Sequence, residues 1–207
     1  MKEIMHAYSQ RAAEYVTALG SIEDMDVLDS TLILEWGSRV SGPILDAGAG
    51  PGHWTELLRI NGKSVQGVDI VQEFVESAQA RFPHSEYLLG DIMQLPFDDI
   101  RFGGIISWYS LIHMDPEQAR IALKEFARVL RPEGNLLIGV FLGPQSDSFD
   151  HAIAKAYFWS IRGINEALEA AGFHVIETHT RTTPRARPHL AVLAQRKADP
   201  AIPSGRY

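Results

Sequence analysis

The sequence predicts an α/β protein built as a three-layer sandwich, with helices on both faces of an open, doubly wound sheet. From Pro43 onward, short and wholly apolar runs alternate with amphipathic segments, which is typical of a parallel sheet buried on both faces. Two further apolar runs joined by a short connection predict a terminal antiparallel pair. With 207 residues, 45% of them hydrophobic and 22% charged, the chain is expected to form one domain, residues 1–207.

Residues 1–40 are predicted to form two helices. Apolar side chains recur there at near-helical spacing among acidic residues, and no strand-like run interrupts them. The side chains in this pattern are Tyr15, Leu19, Ile22, Leu28, Leu32, Leu34 and Trp36.

The predicted strands follow in chain order. Five short apolar runs have the length of strands, at 44–45, 65–68, 87–89, 105–108 and 136–142. The closing pair lies at 173–180 and 190–194. Between the first three strands, apolar stripes predict two crossover helices, formed around Trp54, Leu57 and Leu58 and around Phe74, Val75, Ala78 and Phe82.

Two later helices carry sequence signals at their ends. Asp115 precedes Pro116, and Gln118 stands at the third helical position, an arrangement that forms a capping box. Ser160 is placed to cap a further helix, and Gly172 is free to adopt the left-handed backbone that ends it.

A glycine-rich loop follows the first strand, in the run Leu45-Asp46-Ala47-Gly48-Ala49-Gly50-Pro51-Gly52. Alternate glycines let the backbone turn tightly and approach a ligand, and a helix that opens after them presents free N–H groups. A dinucleotide fingerprint needs a third glycine where His53 stands, so the match to that motif fails. The carboxylate of Asp46 beside the loop repels a pyrophosphate and attracts a cationic ligand.

Acidic residues also end the second and third strands. Asp69 lies 23 residues (69 − 46) after Asp46, the interval at which an acid accepts hydrogen bonds from both hydroxyls of an adenosine ribose. Asp91 is placed to accept from an adenine amine, with Ile70 and Ile92 on the two faces of the ring. The carboxyl ends of parallel strands meet at one edge, where ligands of doubly wound sheets bind.

Together, residues 45–52, Asp69, Gly90-Asp91 and residues 107–113 resemble the successive motifs of class I S-adenosylmethionine-dependent methyltransferases, small-molecule type. The resemblance covers residues 40–195. It implies a seven-stranded sheet whose last strand is antiparallel, S-adenosylmethionine as cofactor, and S-adenosylhomocysteine as product.

The resemblance also implies which residues contact the cofactor. Loop residues 48–50 line its methionine portion, Asp69 holds the ribose, and Asp91 holds the adenine. Residues 8–15 resemble a lid segment in which a tyrosine reaches the cofactor carboxylate, so residues 1–40 are expected to form a helical lid over a Rossmann-like core, 41–197, with a tail at 198–207. The full implied set is Tyr8, Asp46, Gly48, Ala49, Gly50, Trp54, Asp69, Ile70, Asp91, Ile92, Ser107 and Trp108.

Methyl transfer from a sulfonium requires mainly that the acceptor atom, the methyl carbon and the sulfur be held in line. An oxygen or ordinary amine acceptor must also lose a proton, and an imidazole is suited to take it. His113, just beyond the fourth strand, is the candidate base, with a packed structural histidine as the alternative. Tyr109 is a second candidate for contact with the acceptor, and His151, Tyr157 and Trp159 are candidates for the pocket wall.

A basic cluster is predicted near the closing hairpin. Arg181, Arg185, Arg187 and His189 fall within one short stretch, and an anionic acceptor group such as a carboxylate or phosphate fits the arginines Arg185 and Arg187 in particular. The alternative is a solvated hairpin tip. The acceptor's identity, the methylated atom and the oligomeric state stay open.

The composition argues against several other classes of protein. The absence of cysteine excludes a disulfide framework and thiolate metal sites and fits a cytoplasmic location. The eight histidines lack metal-binding spacing, so no metal is expected. A net charge of −7 disfavours a nucleic-acid partner, and the chain shows neither a signal peptide nor a membrane span.

Two alternative functions compete with methyl transfer. A catalytically silent S-adenosylmethionine-binding module has the same cofactor motifs and differs only at the acceptor side, where the sequence is least informative. An NAD-dependent oxidoreductase is disfavoured by Asp46 and by His53.

Overall fold

In the computed structural model, the described residues are 2–144, 147–151, 153–184 and 186–198. They contain a seven-stranded sheet in the order β3-β2-β1-β4-β5-β9-β8 and a separate two-stranded hairpin, β6-β7. The strands are β1 Ile44–Ala47, β2 Val65–Asp69, β3 Glu86–Leu89, β4 Phe102–Trp108, β5 Leu130–Phe141, β6 Ser148–Asp150, β7 Lys155–Tyr157, β8 Phe173–Arg181 and β9 His189–Arg196.

The helices lie in chain order between these strands. They are α1 Lys2–Leu19, α2 Val27–Arg39, α3 His53–Ile60, α4 Gln72–Arg81, α5 Pro116–Val129 and α6 Ile161–Ala170. Short 3₁₀ helices occupy Ile22–Asp24 and Leu111–His113. None of the helices in the described ranges is long and apolar enough to span a bilayer.

Strand direction brings the predicted site residues to one edge. Strands β1 to β5 pair in parallel, whereas β9 is antiparallel to both of its neighbours, β5 and β8. The strand order reverses between β1 and β4, so a crevice opens beyond the carboxyl ends of these two strands. The predicted fold class, including the antiparallel last strand, is confirmed.

Helices cover both faces of the central strands, which are buried along their whole length in β1 and β4. Phe126 of α5 and Leu168 of α6 pack on one face, and Ile33 and Trp36 of α2 pack with α3 on the other. Helix α1 instead packs through Ala12 on α4, beside the end of β2. Of the predicted lid segment, therefore, α2 belongs to the core and α1 lies over the sheet edge.

The helix signals act as predicted. The side chain of Asp115 accepts from the backbone of Glu117 and Gln118, and Gln118 completes the capping box of α5. Ser160 accepts from the backbone N–H of Gly163 at the start of α6, and Gly172 has φ +95° just after its end.

The sequence did not predict the hairpin β6-β7. Its strands have three residues each, too short to produce an alternating pattern. The predicted tail, 198–207, lies outside the described residues beyond Ala198.

Candidate active site

The glycine loop between β1 and α3 is held by the neighbouring strand. The backbone N–H groups of Gly48 and Ala49 donate to the carbonyl of Val68 at 2.8 and 2.9 Å. Gly48 has φ +83°, and a Cβ added there would lie 2.2 Å from the Cβ of Ser110. Gly50 also has positive φ, +52°, but a Cβ added there would meet no atom within 4 Å. The loop is thus tightly packed at Gly48 and open to a ligand at Gly50.

Asp69, at the end of β2, is tied to this loop. One carboxylate oxygen accepts from the backbone N–H of Gly50 at 2.8 Å and the other from that of Val71 at 2.9 Å. Burial raises the pKa of Asp69 to about 6, although these backbone bonds act in the opposite direction. The carboxylate is therefore desolvated and preorganised at the rim of the crevice.

The crevice contains a cleft beyond the carboxyl ends of strands β1 to β4. Ile70 and Ile92 line it beside Asp69 and Asp91. Asp91 accepts from the backbone N–H of Met93 through one oxygen, at 2.8 Å. The lining of the cleft also includes Tyr8, Gly48, Gly50, Trp108, Tyr109 and His113.

A second cavity adjoins this cleft. The two have Tyr8, Tyr15, Gly48, Gly50, Trp108 and Tyr109 in common. Ala49, His53 and Trp54 line the second cavity on the α3 side, and Phe141 and His151 line it beyond the ends of β4 and β5. A ligand in the first cleft would therefore meet a molecule in the second cavity at their common wall.

Asp46 and Ser107 are the two predicted cofactor residues that line neither cavity. Asp46 is 1% exposed and accepts from the Thr55 hydroxyl at 2.7 Å, while its other oxygen has no partner among the described residues. Burial raises the pKa of Asp46 to about 7. Ser107 is fully buried and bonds Ser110 at 2.5 Å. Both lie beneath the surface that a ligand would touch.

His113 lies in the 3₁₀ helix after β4, with both ring nitrogens engaged. Nδ1 is 2.8 Å from the carbonyl oxygen of Lys155, which can only accept, so Nδ1 carries the proton. Nε2 is consequently the acceptor, and the Tyr8 hydroxyl donates to it at 2.7 Å. Burial lowers the pKa of His113, partly offset by the bond to Lys155. The ring is therefore neutral, with its lone pair on Nε2.

Tyr109 directly follows β4 in a strained conformation, with φ +58°. Its hydroxyl lies 2.5 Å from Nδ1 of His189, and its ring packs against Phe141 with centroids 4.8 Å apart. Burial raises the pKa of Tyr109 well above its usual value. Tyr109 faces both cavities, and the buried His189 behind it fixes its direction.

Two residues of the predicted basic cluster, Arg181 and His189, are engaged by other side chains. Arg181 donates to Asp29 of α2 at 2.6 Å and also pairs with Asp26 at 3.4 Å, so its charge is neutralised. His189 is buried against Tyr109. Arg187 stands apart, with its guanidinium 4.2 Å from the ring centre of Phe149.

Arg185 lies outside the described residues. Of the other wall candidates, Tyr157 and Trp159 line neither cavity, whereas His151 lines the second. Within the described ranges, no three histidine, aspartate or glutamate side chains are grouped to hold a metal ion.

Several lining residues were not identified from the sequence. His53 is 7% exposed and neither ring nitrogen has a partner among the described residues; burial lowers its pKa to about 4. Asp29 and Met25 reach the second cavity from the segment around α2, and Phe74 reaches the first from α4. Met25 and Asp29 belong to no motif, and only the long-range packing of the α2 segment brings them to the edge.

Comparison with known proteins identifies relatives. Residues 44–134 match the family described as a methyltransferase domain. The O-methyltransferase resE of Aspergillus sclerotiorum is 30% identical over 175 residues, which cover 76% of this chain and 66% of that protein. The malonyl-[acyl-carrier protein] O-methyltransferase of Serratia marcescens is 33% identical over 135 residues, covering 65% of this chain and 51% of that protein. The chain thus spans between about half and two thirds of the length of these curated relatives.

Solved structures share the fold. A 1,6-didemethyltoxoflavin-N1-methyltransferase of Burkholderia thailandensis, with bound 1,6-didemethyltoxoflavin and S-adenosylhomocysteine, has a TM-score of 0.69 at 23% identity, over 93% of this chain and 90% of that one. An S-adenosylmethionine-dependent methyltransferase of Methanosarcina mazei has a TM-score of 0.71 at 20% identity, over 78% of this chain and 95% of that one.

The sequence motifs, the strand order and the relatives agree. The predicted family is confirmed, and with it the predicted cofactor, since S-adenosylmethionine is the methyl donor that defines the family. The chain belongs to the class I S-adenosylmethionine-dependent methyltransferases.

Proposed function

We propose that this chain transfers the methyl group of S-adenosylmethionine to a small-molecule acceptor. The observation that carries the proposal is the meeting of the glycine loop, Asp69, Asp91 and His113 around one cleft beyond the ends of β1 to β4. The related O-methyltransferases support it.

The cleft fits the proposed cofactor. The open space beside Gly50 leaves room for a ligand against the backbone, and Ile70 and Ile92 offer apolar surface to an adenine ring. Asp69 would accept from the ribose hydroxyls through lone pairs that the backbone bonds leave free, and the second oxygen of Asp91 is available to the adenine amine. Trp108 and the loop would face the methionine portion, and the buried carboxylate of Asp46 would act on the sulfonium through its charge alone.

His113 is proposed as the general base. When bound, the cofactor supplies an electrophilic methyl carbon, so the chain must align the acceptor and remove its proton. Because Lys155 holds the proton on Nδ1, Nε2 is the basic nitrogen of this ring, and His113 lines the cleft. The acceptor hydroxyl or amine takes the place of the Tyr8 hydroxyl at Nε2 and gives up its proton there.

The N-terminal helix is proposed to act as the lid of a single methyltransferase domain. Tyr8 and Tyr15 of α1 line both cavities, and their rings pack with Phe74 of α4 at centroid distances of 5.7 and 5.3 Å. In this position α1 excludes water from the methyl group, as an in-line transfer requires.

We also propose that the acceptor carries an anionic group and that Arg187 binds it. This exposed guanidinium forms no ion pair with the described residues and lies close enough to His151 to lower its pKa. Arg187→Ala should raise KM for a carboxylate-bearing acceptor and leave KM for a neutral analogue unchanged. An equal change for both acceptors would contradict it.

Thermal shift and labelled-methyl turnover test the proposed function. S-adenosylhomocysteine should stabilise the chain and NAD should not; stabilisation by NAD alone would identify an oxidoreductase instead. With labelled S-adenosylmethionine and a metabolite extract, label should appear in a small-molecule pool. Tight binding without any labelled product would indicate a silent binding module. A cytoplasmic location is likewise proposed, and cell fractionation tests it.

A further inference from the structure

The acceptor end of the second cavity is built from rings. Phe141 ends β5, Tyr109 directly follows β4, and His151 follows β6 of the hairpin. The ring centres of Phe141 and His151 are 6.2 Å apart, and Phe149 of the same hairpin packs against both of them. Aromatic walls of this kind favour a flat aromatic occupant, whose faces and edges match theirs.

His151 carries an unused hydrogen-bonding atom at this end. Its Nδ1 is buried and has no partner among the described residues. Burial, with smaller effects from His113 and Arg187, lowers the pKa of His151 to about 4, so the ring is neutral near pH 7 and has one N–H donor and one lone pair. A buried polar atom without a partner is costly, and a ligand that bonds it removes that cost.

The position of His151 relates this free atom to the reaction. Its ring centre is 5.2 Å from that of His113, the proposed base, at an angle of 70°. His113 lines the first cleft and His151 the adjoining second cavity, and their rings are close enough for one small molecule at the common wall to contact both through neighbouring groups. Groups placed far apart on a ring cannot reach both imidazoles in this way.

We propose that the acceptor is an aromatic ring compound with two neighbouring hydrogen-bonding groups, one methylated beside His113 and the other held by Nδ1 of His151. This inference rests on the proposed methyl transfer. Transfer to a hydroxyl breaks the bond between the methyl carbon and sulfur and forms a bond between that carbon and the acceptor oxygen. The hydroxyl proton passes to Nε2 of His113, and S-adenosylhomocysteine remains. His151 is a positioning residue, because it holds the group that does not react.

Four simple probes separate the elements of this proposal. Catechol has adjacent hydroxyls on an aromatic ring, resorcinol has the same hydroxyls further apart, phenol has one, and cyclohexane-1,2-diol has adjacent hydroxyls without aromaticity. With the full chain and S-adenosylmethionine, kcat/KM for catechol should exceed that for each other probe by about tenfold or more, the effect of one well-placed hydrogen bond.

Two variants assign the preference to His151. His151→Phe keeps a ring but loses the nitrogens, so it should lower kcat/KM for catechol about tenfold more than kcat/KM for phenol and remove the preference between them. His151→Asn keeps a hydrogen-bonding group and should restore part of the preference. His174→Phe, at an exposed position on β8, is the matched control and should change nothing.

Equal rates for catechol and resorcinol would overturn the proposal, as would a catechol preference that survives in His151→Phe. Binding of S-adenosylhomocysteine, measured by calorimetry on the same samples, separates this inference from the function on which it rests. Normal binding with no transfer to any probe would overturn the aromatic acceptor alone. If S-adenosylhomocysteine does not bind the unaltered chain, the methyltransferase proposal itself would be overturned.

Discussion

The cofactor side and the acceptor side of this sheet edge are built from different kinds of contact. At the ends of β1 to β3, polar contacts are local: Asp69 bonds Gly50, 19 residues away, and Asp91 bonds Met93, two residues away. At the ends of β4 and β5 they connect distant parts of the chain. Tyr8 and His113 are 105 residues apart, and Asp29 and Arg181 are 152 apart.

This difference explains how the two sides can vary. The contacts of the cofactor side form whenever the strand, loop and helix form, because they are made within these elements. They do not depend on which segments cover the sheet edge. The acceptor side depends on which residues α1, α2 and the β6-β7 hairpin bring over the edge. One cofactor framework can therefore serve many acceptors, as loop variation does in other enzymes built on a rigid scaffold.

The largest expected effect tests whether the acceptor side performs the proton transfer. His113→Ala should lower kcat by about 10²-fold or more, the usual contribution of a general base. The dissociation constant of S-adenosylhomocysteine should change much less, since the proposed ribose and adenine contacts, Asp69 and Asp91, lie at the ends of β2 and β3. Stopped assays with labelled cofactor measure the first quantity and calorimetry the second. Full activity in the variant would assign His113 a packing role.

On the cofactor side, Asp69→Asn is the corresponding test. The amide keeps one acceptor oxygen for the loop but removes the charge, so cofactor binding should weaken by about 1.5–3 kcal/mol, the range for a hydrogen bond to a charged group. Calorimetry measures it, with Asp98→Ala, an exposed acid near β4, as the control. An unchanged dissociation constant would remove Asp69 from the ribose site.

The same division decides how much the sequence could predict. Strand order, the glycine loop and the acids at 46, 69 and 91 were predictable because each depends on neighbouring residues and on the rule that parallel strands end together. The Tyr8–His113 bond was not, although both residues were candidates, since nothing in a sequence relates residues 105 apart. Arg181 was misassigned for the same reason, because its partner Asp29 is on another helix.

The pH dependence of cofactor binding distinguishes the two sides further. Burial raises the pKa of Asp69 to about 6 in the free protein, and only the carboxylate form accepts from both ribose hydroxyls. Affinity should therefore fall as pH decreases through 6 and be about tenfold weaker at pH 5 than at pH 8, since one pH unit below the pKa costs a factor of ten. Calorimetry across this range measures it.

Asp69→Asn is the control for that profile, because an amide does not titrate. The variant should show weaker binding with a flatter dependence on pH. A flat profile in the unaltered chain, or an equally steep one in Asp69→Asn, would show that another group controls affinity.

The smallest expected effect concerns the contact between α1 and the acceptor side. Tyr8→Phe keeps the ring packed between Tyr15 and Phe74 but removes the hydroxyl that donates to His113. One such hydrogen bond contributes about 0.5–1.5 kcal/mol to the free energy of unfolding. In a chain of this size, each kcal/mol lost lowers the melting temperature by about 2–4 °C. Because a donor to Nε2 favours the neutral imidazole of the free enzyme, its loss should also move the acidic limb of the kcat/KM profile to higher pH.

The melting temperature and the pH profile together distinguish a Tyr8 hydroxyl that engages His113 from one that only fills space. If the Tyr8 hydroxyl only fills space, Tyr8→Phe should leave the pH profile unchanged and alter the melting temperature alone. If the hydroxyl instead donates to the nitrogen that later takes the acceptor proton, the pH profile of activity must shift. The pH dependence of cofactor binding should not change, because Asp69 controls it. A shift in both profiles would mean that α1 couples the two sides, and the division between local and long-range construction would then not extend to function.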